Sequence, residues 1–223
     1  MNKNIFLVIG IVVLVALFVP LINGNPVGMV VYDKLQGLGE YEYTSISGQS
    51  YNFDKIRIGN NIRHILSFEM EKPSYNGRNV IKTAKLPFRY GPEELEDIPM
   101  EYVRTDLLFA EVVYITRDKN LEGTEISPVA IPTLGRVIDS EWDTSVDLFE
   151  IPTGIASTVS MPSEDLPVIS CGQSTIERRV IEFRHGKENK IYTEGECIIV
   201  ESKGYDDSIK VATKLTYHVL GIM

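Results

Sequence analysis

An unbroken apolar run near the start of the chain constrains everything after it. From Ile5 to Ile22 (IFLVIGIVVLVALFVPLI) there is no charged residue; Lys3 precedes the run and Asn23-Gly24-Asn25-Pro26 ends it. Its length of roughly 18 residues lies between the core of a signal peptide, about 7–15, and the roughly 20 that a spanning helix needs. It fits two roles: a retained single-pass signal-anchor, or a signal peptide over residues 1–24 cut near Asn25. Pro20 and the small Gly24 suit cleavage. The long core, and Ile22 where a small residue is usual, suit retention. Lys3 is the only charge before the run, so the N-terminus is expected in the cytoplasm and residues 25–223 outside. The expected location is the cell membrane with the bulk extracellular, or secretion if the leader is removed.

The chain carries 22 basic and 31 acidic residues, a net charge of −9. Only Lys3 among these falls in the leader, so the exported part is one charge more negative, at −10. So acidic a surface repels phosphate backbones, and no nucleic-acid partner is expected. About 200 exported residues suffice for a hydrophobic core, and the 11 Tyr and 8 Phe argue against disorder. Cys171 and Cys197, the only two cysteines, both lie in the exported part. In an oxidising compartment such a pair is expected to form one disulfide. No Asn-x-Ser/Thr acceptor for N-glycosylation occurs.

The exported part reads mostly as strands. Val27–Leu35, Gly39–Ile46, Ser50–Ile58 and Arg63–Glu71 are short, β-branched and aromatic, with Gly, Ser and Asn between them. Asn76-Gly77 marks a hairpin joining Ile65–Glu71 to Asn79–Leu86. Gly91–Asp97 (GPEELED) is a helical start, with Pro92 at the first position and four acids after it. Glu101–Thr116 is ambiguous, its second half strand-like. Prolines at 128, 132, 152 and 162 exclude long helices between Leu121 and Leu166. The last residues suggest a meander of Thr175–Arg184, Lys190–Thr193 and Cys197–Glu201, followed by a strand over Ser208–Val219. In that last segment Val211, Thr213, Leu215, Tyr217 and Val219 alternate with more polar neighbours. The expectation is an all-β exported domain, an antiparallel β-sandwich or jelly-roll, after one N-terminal hydrophobic helix. A subdivision, if present, falls near 118–123. The apolar end Leu220-Gly221-Ile222-Met223 is expected to pack on the core, or else to dock into a neighbour.

One stretch has the spacing of a cation loop. Asp139, Glu141, Asp143, Asp147 and Glu150 stand at relative positions 1, 3, 5, 9 and 12, where one loop can wrap oxygens round calcium. Against it, Thr144 stands where such loops need glycine, and the flanks are not helical. The bland alternative is an acidic turn with Trp142 packed inward. His64, His185 and His218 sit apart and no zinc spacing occurs. His64 shares its face with Ile62, Leu66, Phe68 and Met70 and reads as a hydrogen-bonded core histidine. No nucleophile elbow and no phosphate-binding glycine loop is present.

These readings favour a membrane-anchored or secreted cell-surface β domain with a structural or protein-interaction role in an envelope assembly. Its partners would be the membrane, through residues 5–22, and another protein or further copies of itself. The alternatives are an extracytoplasmic hydrolase and a calcium- or carbohydrate-binding module. No catalytic residue is assignable, and calcium is the one cofactor with any sequence support.

Overall fold

The computed structural model describes residues 36–73, 79–101, 103, 105–117, 126–138, 148–149, 151–159 and 165–223. The body they form is mostly strand, in two sheets with few helices. The leader, the Val27–Leu35 strand, the 118–123 boundary and the acidic loop residues Asp139, Glu141, Asp143, Asp147 and Glu150 lie outside the described residues.

The first sheet is an antiparallel meander of β1 (Gln36–Thr44), β2 (Ser50–Ile58), β3 (Asn61–Pro73) and β4 (Asn79–Phe88). Its register sets a clean alternation. On β4, Ala84, Leu86 and Phe88 are buried while Thr83, Lys85 and Pro87 are exposed, and Phe53 on β2 sits opposite Leu66 on β3. The hairpin expected across Asn76-Gly77 has its two strands paired antiparallel, from His64 with Phe88 to Pro73 with Asn79.

The second sheet runs in the order β6 (Thr153–Ser157), β5 (Val112–Arg117), β7 (Arg178–His185), β9 (Cys197–Ser202), β8 (Lys190–Glu194). It corrects the expectation of antiparallel pairing throughout: β6, β5, β7 and β9 are mutually parallel, and only β8 runs against its neighbour. The reason lies in side-chain burial. Residues 180–183 of β7 and 197–200 of β9 are buried on both faces, the signature of parallel strands covered on both sides. The crossover from β5 to β6 carries helix α1 (Ala130–Ile138), which accepts Pro132 because a first-turn amide has no intrahelical partner to lose.

The second correction is larger. Ser208–Val219 is not a strand but the body of helix α2 (Tyr205–Val219). Asp206 and Asp207 sit in its first turn, where their charge suits the positive end of the helix dipole. It stops in a Schellman arrangement: the Ile222 amide donates to Tyr217 and the Gly221 amide to His218, with Gly221 at φ +75°. The helix is buried almost all round because it packs against both sheets. Tyr217 meets Phe53 and Phe88 of the first sheet, while Ile209, Val211, Ala212 and Leu215 share a core with Val113, Ile181, Phe183, Ile198 and Val200 of the second. A β-sandwich brings its sheets face to face; here α2 touches both. Its buried hydroxyls bond within the helix, Thr213 to the Ile209 carbonyl and Thr216 to that of Ala212. The apolar C-terminus packs inward as expected, with Ile222 fully buried.

Candidate functional site

The acids of Gly91–Asp97 meet the first sheet in a small concavity. Pro92–Leu95 forms a single 310 turn, with Pro92 at its start and the Gly91 amide bonded to the Glu94 carboxylate at 2.7 Å. This turn delivers Glu94 to β3, where His64 Nε2 lies 3.1 Å from the same carboxylate oxygen. On the other side of the ring, Nδ1 is 2.7 Å from the hydroxyl of Tyr41 on β1. A carboxylate only accepts, so the neutral ring donates from Nε2 to Glu94 and accepts the Tyr41 proton at Nδ1. Tyr41, His64 and Glu94 thus form a directed chain, lining a pocket of about 270 Å³ with Leu38, Glu40, Lys55 and Glu93.

The electrostatics define what this chain does. Burial, then the charges of Glu93 and Glu94, push the Tyr41 phenol far above its ordinary range. A tyrosine nucleophile needs the opposite, a cation that favours phenolate. Burial also lowers His64, with Lys55 adding to it, against the opposing pull of Glu94 and Glu93. The His64 side chain is 7% exposed and both ring nitrogens have a partner. The cluster is therefore a locked network of a neutral phenol and a neutral imidazole on a carboxylate, in keeping with a hydrogen-bonded core histidine. Gly91 is required there because a Cβ would come within 2.8 Å of the Tyr41 hydroxyl and 2.9 Å of the His64 ring.

The sequence spacing of Tyr41, His64 and Glu94 carries no hint of this meeting. Two of the residues converge only through the β1–β2–β3 register, where Tyr41 pairs with Phe53 and Phe53 with Leu66. The one local signal was the Gly91-Pro92 turn with an acid three positions after Gly91.

The second chemical cluster stands on the outer face of the five-stranded sheet. Cys171, at the start of a 310 turn, is bridged to Cys197 on β9, with Cα atoms 5.2 Å apart. The expected disulfide is thus present. Glu182, two residues beyond the Cys197 partner Val180 on β7, lies on the same face. One of its carboxylate oxygens accepts the Cys171 amide at 3.1 Å and the other accepts Arg184 Nε at 2.6 Å. Arg184 also grips Glu194 through two contacts, at 2.8 and 3.0 Å. Across this face Lys190 and Tyr192 reach Glu201, so the sheet is laced with paired charge.

His185 closes β7, and His218 belongs to α2 rather than to a wet strand face. The His218 ring sits between the Met223 and Val103 carbonyl oxygens, each 2.9 Å from one of its nitrogens, and in its neutral form donates to one of the two. The acidic loop residues named from sequence are outside the described part, so no side chain there is placed. Among the described residues, Cys171, Cys197 and Glu182 make the one grouping of three potential metal ligands. No family model matches the chain, and no curated protein or solved structure is significantly similar to it.

Proposed function

We propose that this chain is a surface-displayed, β-rich protein that works through protein contacts in a cell-envelope assembly, held at the membrane by residues 5–22. The observation that carries this reading is an asymmetry between the two sheets. Each edge strand of the five-stranded sheet carries one backbone bridge, from Met100 to Ile191 on β8 and from Val168 to Ser157 on β6. The four-stranded sheet ends on β1 and β4, and among the described residues no further strand pairs with either. Long unpaired edges are the surfaces on which β-addition builds contacts, and proteins with no use for them commonly blunt them. The Cys171–Cys197 bridge supports an oxidising location outside the cytoplasm. Among the described residues no helix is long and apolar enough to cross a membrane, so membrane attachment in this proposal rests on the leader alone.

A hydrolase is the second reading, and the Tyr41–His64–Glu94 chain is the observation that favours it. It ranks lower because the acids around Tyr41 oppose phenolate formation. Gentle extraction of the full-length protein from its own membranes, followed by native mass measurement without reductant, tests the assembly reading. Higher-order or hetero-oligomeric mass is the expected result, dispersed by proline substitution on β1 or β4. A lone monomer would contradict it.

A further inference from the structure

We propose that Cys171, Cys197 and Glu182 form a redox-gated site for a thiophilic divalent cation of the zinc type, closed as a disulfide and opened by reduction. Both sulfurs and a Glu182 oxygen lie within 4.8 Å of one another. Three separate elements supply them: the 310 turn Cys171–Gln173, strand β9 and strand β7. Two thiolates and a carboxylate, with a fourth position left to solvent, is a ligand set that zinc accepts.

The bridge is not the only link that positions these groups. The Cys171 amide is bonded to Glu182, and the Ser174 hydroxyl donates to the Glu196 carbonyl while accepting the Val180 amide. The Thr175 amide adds a bond to Arg178. This stitching ties the 310 turn to β7 and to the turn before β9 by bonds other than the bridge. Glu182 is oriented from both sides, with Arg184 bonded to one oxygen at 2.6 Å and the Cys171 amide to the other at 3.1 Å, and one of these oxygens lies within 4.8 Å of both sulfurs. Glu182 is 5% exposed, its charge compensated by Arg184 and the Cys171 amide. Cys197 is fully buried but Cys171 is only half-buried, so the site opens to solvent on the Cys171 side.

The chemistry balances. A dithiol reductant transfers two electrons and two protons to the bridge, the S–S bond breaks, and the reductant becomes a disulfide. The incoming cation then displaces both thiol protons to solvent and forms two metal–sulfur bonds and one metal–oxygen bond.

The full-length protein in detergent tests this, oxidised and after phosphine reduction, with zinc titrated against a chromophoric chelator and cobalt as a spectroscopic stand-in. Near-ultraviolet circular dichroism reports whether the fold survives reduction. The oxidised form is expected to take up no zinc at this site. The reduced form should take one equivalent and show thiolate-to-cobalt charge-transfer absorption. Glu182→Gln, checked for native fold while oxidised, should weaken uptake by about tenfold or more. The proposal is overturned if the folded, reduced chain shows no thiolate–cobalt band, if Glu182→Gln binds as tightly as the parent, or if reduction alone unfolds the protein.

Discussion

The Tyr41 hydroxyl and His64 Nδ1, on side chains 23 positions apart in sequence, are 2.7 Å apart in the fold. That bond anchors a line of rings into the protein. Tyr41 stacks on Phe53 at 5.3 Å, Phe53 meets the edge of Tyr217 at 5.9 Å, and Tyr217 tilts against Phe88 at 4.6 Å. The pocket is therefore coupled by direct contact to helix α2 and the main core.

Tyr41→Phe keeps the ring stack and removes only the donor to His64. It should cost about 1–2 kcal/mol, because a buried acceptor is left unpaired. Gly91→Ala pushes a methyl group against the same hydroxyl and ring, and should cost about 1–3 kcal/mol by overpacking. The two losses should be less than additive, since both break one bond. Chemical denaturation of the two single variants and the double variant checks this.

His64 makes stability depend on pH with a definite sign. Its folded-state value is depressed by burial, so the unfolded chain takes up this proton first. The contribution of His64 is complete above about pH 6.5, the ordinary histidine value, and is lost as pH falls from there through the depressed folded value. Protonation also turns Nδ1 into a donor, which reverses the bond from Tyr41. Melting temperatures measured from pH 7.5 down to pH 5 should fall less steeply in His64→Gln than in the parent. Equal slopes would remove His64 as the cause.

The end of α2 rests on Gly221 at φ +75°. Gly221→Ala meets nothing closer than the Tyr51 hydroxyl at 3.7 Å, so its cost is backbone strain alone, about 1–2 kcal/mol. Gly221→Asn should cost less, because asparagine tolerates this region. Thermal unfolding of the two variants checks the order.

Much of the first sheet was legible in the sequence. β2 was read with its observed limits, β1, β3 and β4 were placed within a few residues, and Asn76-Gly77 gave their pairing, because one face is wet and the pattern alternates cleanly. Helix α2 was misread for a physical reason: a helix packed on two sheets has no polar face, so Val211, Leu215 and Val219 lost their helical contrast against buried Thr213 and Thr216. Lys214 deepened the error. Its charge suggested a wet face, yet its ammonium is buried, donating to the Leu95 and Glu96 carbonyls at 2.9 and 3.2 Å where the 310 turn ends. Gly221, beyond an acidic first turn at Asp206-Asp207, was the overlooked helical signal. The disulfide was legible from the pair of cysteines and the oxidising compartment that the apolar run led us to expect. Glu182 beside it was not, because only strand register brings it there.

Reducing the Cys171–Cys197 bridge, with a chelator present to keep metal away, should cost about 3 kcal/mol, the loop entropy returned to the unfolded chain. For a body of this size that lowers the melting temperature by roughly 6–12 °C. The oxidised and reduced forms, compared by scanning calorimetry, give the value directly.

The central claim is that residues 25–223 lie outside the cytoplasm with the bridge closed. Protease added to intact native cells, followed by alkylation under denaturing conditions without reductant and mass measurement, tests both halves at once. The account expects external cleavage of the body and cysteines that take up no alkylating reagent. A body protected until the cells are lysed, with Cys171 and Cys197 both alkylated, would contradict it.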